Sequence, residues 1–238
     1  MARLDAIAAQ CPAASVEGLR IHLFETLGFA GNRRRYDDPR NSYLDAVIAR
    51  RRGLPITLAV LTIEVGRRLG LVLEPVGMPG HFLVGVGDGR YLDAFDQGRV
   101  LDESACRRRF VELHGPVSPW TADLLAPVGP GAVLARILAN LHQLFVRSND
   151  LVGLDWVLQL RIAIPGIAAS ERAERASVLS ALGRYDEAAS ELELLANLHG
   201  PGGSFSGSTH PSGGADPSAG QQADELRHRA ARLRARLN

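Results

Sequence analysis

At 238 residues, 46% hydrophobic and 22% charged, the chain has the length of one large or two small domains of ordinary globular composition. Its formal net charge of +1 gives the chain as a whole little attraction for polyanions, so nucleic acid is not an expected partner. Every basic residue is arginine, which excludes a lysine Schiff base and a Walker A phosphate loop; two cysteines, and seven histidines at no ligand-like spacing, leave no disulfide framework, metal or cofactor expected.

In chain order, Leu4 to Ala9 is a short helix ended by Pro12. Ser15 caps a second helix with Leu19, Leu23, Phe24 and Leu27 on one face and Gly28 as its stop. A polar loop, 31–40, leads to a third helix in which Ser42 and Asp45 have capping-box-like spacing and which Gly53 ends. The fourth helix starts near Pro55, a residue suited to the first helical turn. It buries Leu58, Leu61, Val65 and Leu69, and Thr57 lies in its first turn, where free amides and the dipole favour a developing anion. Three strands follow, at 72–77, 81–86 and 90–95, the last two joined by Gly87-Asp88-Gly89.

Register decides whether His81 and Asp93 meet. If residues 87–89 form a three-residue loop, Val86 opposes Arg90, Leu83 opposes Asp93, and His81 shares the face of Asp93. A two-residue turn sends His81 to the other face. Glycine at the third loop position favours the longer form.

A helix over 101–113 closes this first domain, expected to span 1–115. The Pro- and Gly-rich segment 116–131 is expected to be a linker. Residues 132–200 carry a weak repeat: Gly153, Val157 and Leu160 match Ala188, Leu192 and Leu195 at an offset of 35 residues. That is close to the roughly 34-residue tetratricopeptide period, with small residues where paired helices touch. Residues 201–222, rich in Gly, Ser and Pro, are expected to be flexible, and 223–238 to form a capping helix. The arginine triplets 33–35, 50–52 and 107–109 suit solvated helix ends or a phosphate-binding patch. No apolar run approaches the roughly 18 residues that span a membrane, and the N-terminus lacks a secretory core, so the cytoplasm is the expected compartment.

A helix opening on a nucleophile position, a strand with His, then a strand with Asp, resembles the transglutaminase-like superfamily. The closer resemblance is to the bacterial SirB family. It lies in Asn41-Ser-Tyr-Leu, Arg51-Arg-Gly-Leu-Pro-Ile-Thr-Leu, Pro79-Gly-His-Phe-Leu-Val, Leu92-Asp-Ala-Phe-Asp-Gln-Gly98 and Arg136-Ile-Leu-Ala-Asn-Leu. The resemblance implies a papain-like α+β domain with an antiparallel sheet followed by an all-α tetratricopeptide-like domain. It places an imidazole at His81, an orienting carboxylate at Asp93, and the nucleophile position at or next to Thr57, where the superfamily's active members carry Cys. A Thr hydroxyl is far less acidic than a thiol. Two functions follow as expectations: a non-catalytic protein- or peptide-binding protein, or a hydrolase or amidase using a Thr57–His81–Asp93 triad. Beside these stand plainer roles: Thr57 as a helix-start residue, His81 as a satisfied core histidine, Asp96 as a turn former and Cys106 as a structural thiol. The oligomeric state is not assigned.

Overall fold

The computed structural model describes residues 2–165, 169–199 and 217–237. It divides into two compact units, one ending at Asn140 and one starting at Leu141.

The first unit is α+β. Helices α1 (Ala2–Ala9), α2 (Val16–Arg20), α3 (Leu44–Arg50) and α4 (Pro55–Arg68) precede a four-stranded antiparallel sheet. Ser15 caps α2 by accepting from the Gly18 amide at 3.0 Å, and the coil continues from α2 as a π-helical segment, Ile21–Thr26. The short strands β1 (Ala30–Gly31) and β2 (Arg52–Gly53) pair in parallel. The α3 helix ends at Arg51, which turns left-handed at φ 55°, and not at Gly53. Gly53 has a different duty: a Cβ there would lie 2.9 Å from Thr57 Oγ1 and 3.1 Å from the Val47 side chain, so the strand can pass close over α4 only without a side chain.

The main sheet has the order β3 (Glu74–Val76), β4 (Leu83–Gly85), β5 (Tyr91–Asp93) and β6 (Arg99–Leu101); the first three are shorter than expected, and the fourth is not among the expected strands, its Leu101 being expected in the next helix. Val84 pairs with Leu92, Gly85 with Tyr91, and the Val86 amide donates to Arg90 O at 3.1 Å. This is the three-residue-loop register. Gly87, Asp88 and Gly89 all have positive φ, and the Arg90 amide donates to Gly87 O at 3.0 Å across Asp88-Gly89. Because side chains alternate across a strand, the sheet separates two cores. Val84 and Leu92 join the helical core with Leu19, Leu58 and Leu61. Val76, Leu83 and Leu101 face helix α5 (Glu103–His114), where Cys106 and Phe110 complete the second core.

The unit runs past residue 115. Segment 116–131, expected as a linker, supplies Leu125 to the second core, packs Trp120 beside it, and bonds the Val128 amide to Pro75 O at 2.8 Å. Pro-rich backbone has few donors for a helix, but its apolar side chains still cover a sheet face. The unit ends within α6 (Pro130–Ser148), whose Val133 and Ile137 pack on the helical core.

The second unit is all helical. The rest of α6 is followed by α7 (Leu151–Ile162), α8 (Ala169–Ala181), α9 (Tyr185–His199) and α10 (Pro217–Arg234). Helices α7 and α8, α8 and α9, and α9 and α10 pack together in turn. Of the segment expected to be flexible, 201–216 lie outside the described residues, and Pro217 already belongs to α10. Cross-helix ion pairs reinforce the apolar contacts. The buried Asp155 accepts from Arg175 Nε at 2.8 Å and Arg184 at 2.5 Å, and the buried Glu191 accepts from Arg172 at 2.8 Å and Arg175 at 2.5 Å. No described helix is long and apolar enough to cross a membrane.

One glycine ties this fold to the site. A Cβ on Gly31 would lie 2.4 Å from the Phe95 ring. Gly31→Ala is therefore expected to cost about 1–3 kcal/mol in a urea melt, because the ring has to leave its place.

Candidate functional site

The site is built at the mouth of the β4–β5 hairpin. Met78, Pro79, Gly80 and His81 form a tight turn, with the His81 amide donating to Met78 O at 3.0 Å and Gly80 at φ 71°. Pro followed by Gly at its two centre positions is what a type II turn requires. Two side chains hold the turn from outside. Arg136 donates to Met78 O at 3.0 Å and His81 O at 2.9 Å, with its guanidinium 5.5 Å from the Phe82 ring centroid. His114 Nε2 donates to Pro79 O at 3.0 Å. Burial lowers the Arg136 pKa from its ordinary value, and the nearby Tyr36 partly opposes this.

His81 and Asp93 are brought together. Nε2 of His81 lies 2.9 Å from Asp93 Oδ2, and both residues are buried, at 6% and 1% exposure. The contact is close but poorly aligned, so Nε2 has no well-directed hydrogen-bond partner and the pair is best described as an electrostatic contact. Asp93 does two jobs. Oδ1 accepts from the Phe95 and Asp96 amides, both at 3.1 Å, and caps the single 3₁₀ turn Ala94–Asp96. Oδ2 faces His81, with Arg109 of α5 at 3.6 Å. Burial alone would raise the carboxyl pKa; His81, the Asp96 amide and Arg109 together outweigh it, and the group is held below its ordinary range.

Thr57 is placed differently. Its hydroxyl donates to Asn41 O at 2.7 Å, with Leu54 O at 3.2 Å, and accepts from the Leu54 amide at 3.0 Å. It is 2% exposed. This closes the start of α4, where Leu54 itself offers no capping side chain. The same Asn41 fixes the preceding loop: its Nδ2 donates to Arg35 O at 2.7 Å and Tyr36 O at 3.2 Å, and its Oδ1 accepts from Asn32 at 2.9 Å. Among the described residues no hydrogen bond joins Thr57 to His81 or Asp93.

An aromatic and cationic cluster, with Phe95 buried at 7% exposure and Tyr36 exposed, borders the His81–Asp93 pair. Phe95 meets His81 edge-on with ring centroids 6.2 Å apart, and Tyr36 likewise at 6.0 Å. Arg33 lies 5.0 Å over the Phe95 ring while pairing with Asp96 at 2.9 Å. A cavity of about 300 Å³ opens here, lined by Asn32, Arg33, Arg34, Arg52 and Phe95 among others. Asp96 was expected only as a turn former; Phe95 and Arg136 stood in the quoted motifs and Arg33 and Arg109 in arginine triplets without an assigned role at this site, and nothing local marked Tyr36. Cys106 has 0% exposure; burial, then Asp102, Asp93 and Glu103, push its thiol up to about 12, so it stays protonated at neutral pH.

One group elsewhere has the donor set of a metal site. The ligand atoms of His142, Glu171 and Glu174 lie within 4.8 Å of one another. His142 is already 2.9 Å from Glu174, and Arg161 holds Glu171 through both nitrogens, at 3.0 and 2.5 Å, so the cluster carries its own counter-charge. Histidine spacing along the chain could not reveal it, because α6 and α8 each supply part.

Together these features define an α+β domain that opens a helix on a capped hydroxyl and pairs an imidazole with a carboxylate across two strands. Residues 2–139 match the model of the transglutaminase-like superfamily, and the chain belongs to that superfamily. It is 46% identical to a UPF0162 protein of Xylella fastidiosa over 134 residues, covering 54% of this chain and 48% of that protein. It is 33% identical over 153 residues to a UPF0162 protein of Pseudomonas aeruginosa, covering 62% and 57% of the two chains. It is also 33% identical over 156 residues to F-box only protein 21 of Mus musculus, covering 61% of this chain and 23% of that one. The chain thus spans about half the length of these bacterial relatives and less than a quarter of the mouse protein. No solved structure matches it.

Thr57→Val is expected to destabilise the fold by about 1–2 kcal/mol in a urea melt by removing the hydroxyl's bonds to Asn41 O and from the Leu54 amide, which keeps only its longer bond to Asn41 O, and Thr57→Ser to recover most of that loss. For Asp93 the sign follows from its depressed pKa. Its carboxylate adds stability above the unfolded carboxylate pKa of about 3.9 and loses it as pH falls through the lower folded value. The gap in urea midpoint between wild type and Asp93→Asn should be full at neutral pH and close progressively below about pH 4.

Proposed function

We propose that the chain is a SirB-type transglutaminase-like protein that binds a protein or peptide partner in the cytoplasm and does not catalyse acyl transfer. The observation that carries this reading is the commitment of the Thr57 proton to Asn41 O at 2.7 Å inside a closed helix start. A nucleophilic hydroxyl needs its proton within reach of a base. Here the base would have to break the bond that joins α4 to the 32–41 loop. The His81–Asp93 pair then serves as a structural pin beneath the cluster formed by Phe95, Tyr36 and Arg33, and that cluster with its cavity is where a peptide docks.

The helical unit supports a second contact surface if it is read as degenerate tetratricopeptide hairpins over 134–200 with 223–238 as the cap. A Cβ on Gly153 would lie 2.9 Å from the Phe145 ring, and its repeat equivalent, Ala188, is fully buried. Small residues at these two places are what close helix pairing in such repeats requires.

The 2.9 Å contact between His81 and Asp93 favours the alternative, a hydrolase or amidase with Thr57 attacking, His81 as base and Asp93 orienting the imidazole. Labelling with a fluorophosphonate followed by intact mass separates the two readings. No adduct is expected, while a peptide selected by display on wild type should keep its affinity for His81→Ala and lose it for Phe95→Ala. A single adduct on wild type that disappears in both Thr57→Val and His81→Ala would establish the enzyme instead.

A further inference from the structure

In the helical unit, α8, α9 and the C-terminal helix line an open cavity of about 400 Å³, within the roughly 300–1,000 Å³ range of small-molecule sites. Its apolar lining is Ala176, Leu192 and Leu233, and its cationic lining is Arg229, Arg232 and Arg236; no acidic residue lines it. The three arginines fall at successive steps of three and four residues, on one face of the helix that runs on into the 3₁₀ turn Ala235–Leu237.

The absence of acid here is a local departure. In the same unit Arg161, Arg172, Arg175, Arg184, Arg227 and Arg234 each lie against a carboxylate. Among the described residues none pairs Arg229 or Arg232 with one, and Arg236 lies 5.7 Å over the Tyr185 ring. Like charges at this helical spacing repel, and the row persists without internal neutralisation. Ser177 and Ser180 donate their hydroxyl protons to Ala173 O and Ala176 O, which leaves the arginines as the donors facing the cavity.

We propose that this cavity binds a multiply charged phosphate group through Arg229, Arg232 and Arg236, with any organic part of the ligand resting on Leu192 and Leu233. A guanidinium presents a planar fork of donors that fits two phosphate oxygens at once. A diphosphate spreads its charge over enough oxygens to engage three forks, whereas one carboxylate does not. The site is independent of the His81–Asp93 pair and of whether that pair is catalytic.

Calorimetric titration of the full chain at low salt, with sodium pyrophosphate in one arm and adenosine diphosphate in the other, tests this. Saturable binding at one site per chain is expected, weakening as salt is raised. An Arg229→Gln/Arg232→Gln double variant should bind at least about tenfold more weakly, since each lost charge-assisted bond is worth more than a factor of ten in affinity. Arg227→Gln, on the same helix but paired with Asp224, should bind as wild type does. Tighter binding of the nucleotide assigns the site to a phosphate ester; equal binding assigns it to the free diphosphate. No saturable binding in either arm, or a double variant that melts like wild type and binds as tightly, overturns the proposal. If the double variant melts early, Arg236→Gln at the helix end carries the same expectation and the same power to overturn.

Discussion

The two oxygens of Asp93 hold the first unit's site in order. One stops the strand by taking the Phe95 and Asp96 amides, and the other lies against His81. Because the strand stops there, Phe95 turns back over Gly31, and Arg33 and Tyr36 gather around its ring. A buried carboxylate alone would be costly. This one is offset by two backbone donors, an imidazole and, more distantly, Arg109. The hairpin, the 3₁₀ turn and the aromatic cluster therefore depend on one charged group.

The hydroxyl of Thr57 organises the other side of the domain in the same economical way. It joins the start of α4 to Asn41, and Asn41 in turn fixes the loop that carries Tyr36 and leads from Arg33. A residue at the sequence position of a nucleophile here has its only proton used in joining two segments of backbone. Donating to His81 would require giving up the buried bond to Asn41 O.

Much of this was legible in the residues. Ser15, Gly28, Pro55 and the apolar spacing of α4 marked helices with local chemistry, and the glycines flanking Asp88 fixed the register that brings His81 to Asp93. What was not legible depends on distant contacts. Nothing local in segment 116–131 shows that Leu125 covers a sheet face, so the first unit extends past its apparent end at 115. Nothing local shows that Arg136 and His114 clamp the turn before His81, because 55 and 35 residues separate them from their partners there. The Ser42–Asp45 spacing suggested a capped helix, but α3 begins at Leu44 without a side-chain cap, and Ser42 belongs to the turn that follows Asn41.

Surface loops are usually where related chains gain and lose residues at little cost. The loop 87–89 is constrained through register: Val86 stands opposite Arg90 across it, and that pairing puts Asp93 on the face of His81. A slip of one residue in that pairing, with the chain unchanged, would turn Asp93 away from His81 and dissolve the site without altering a single residue in it.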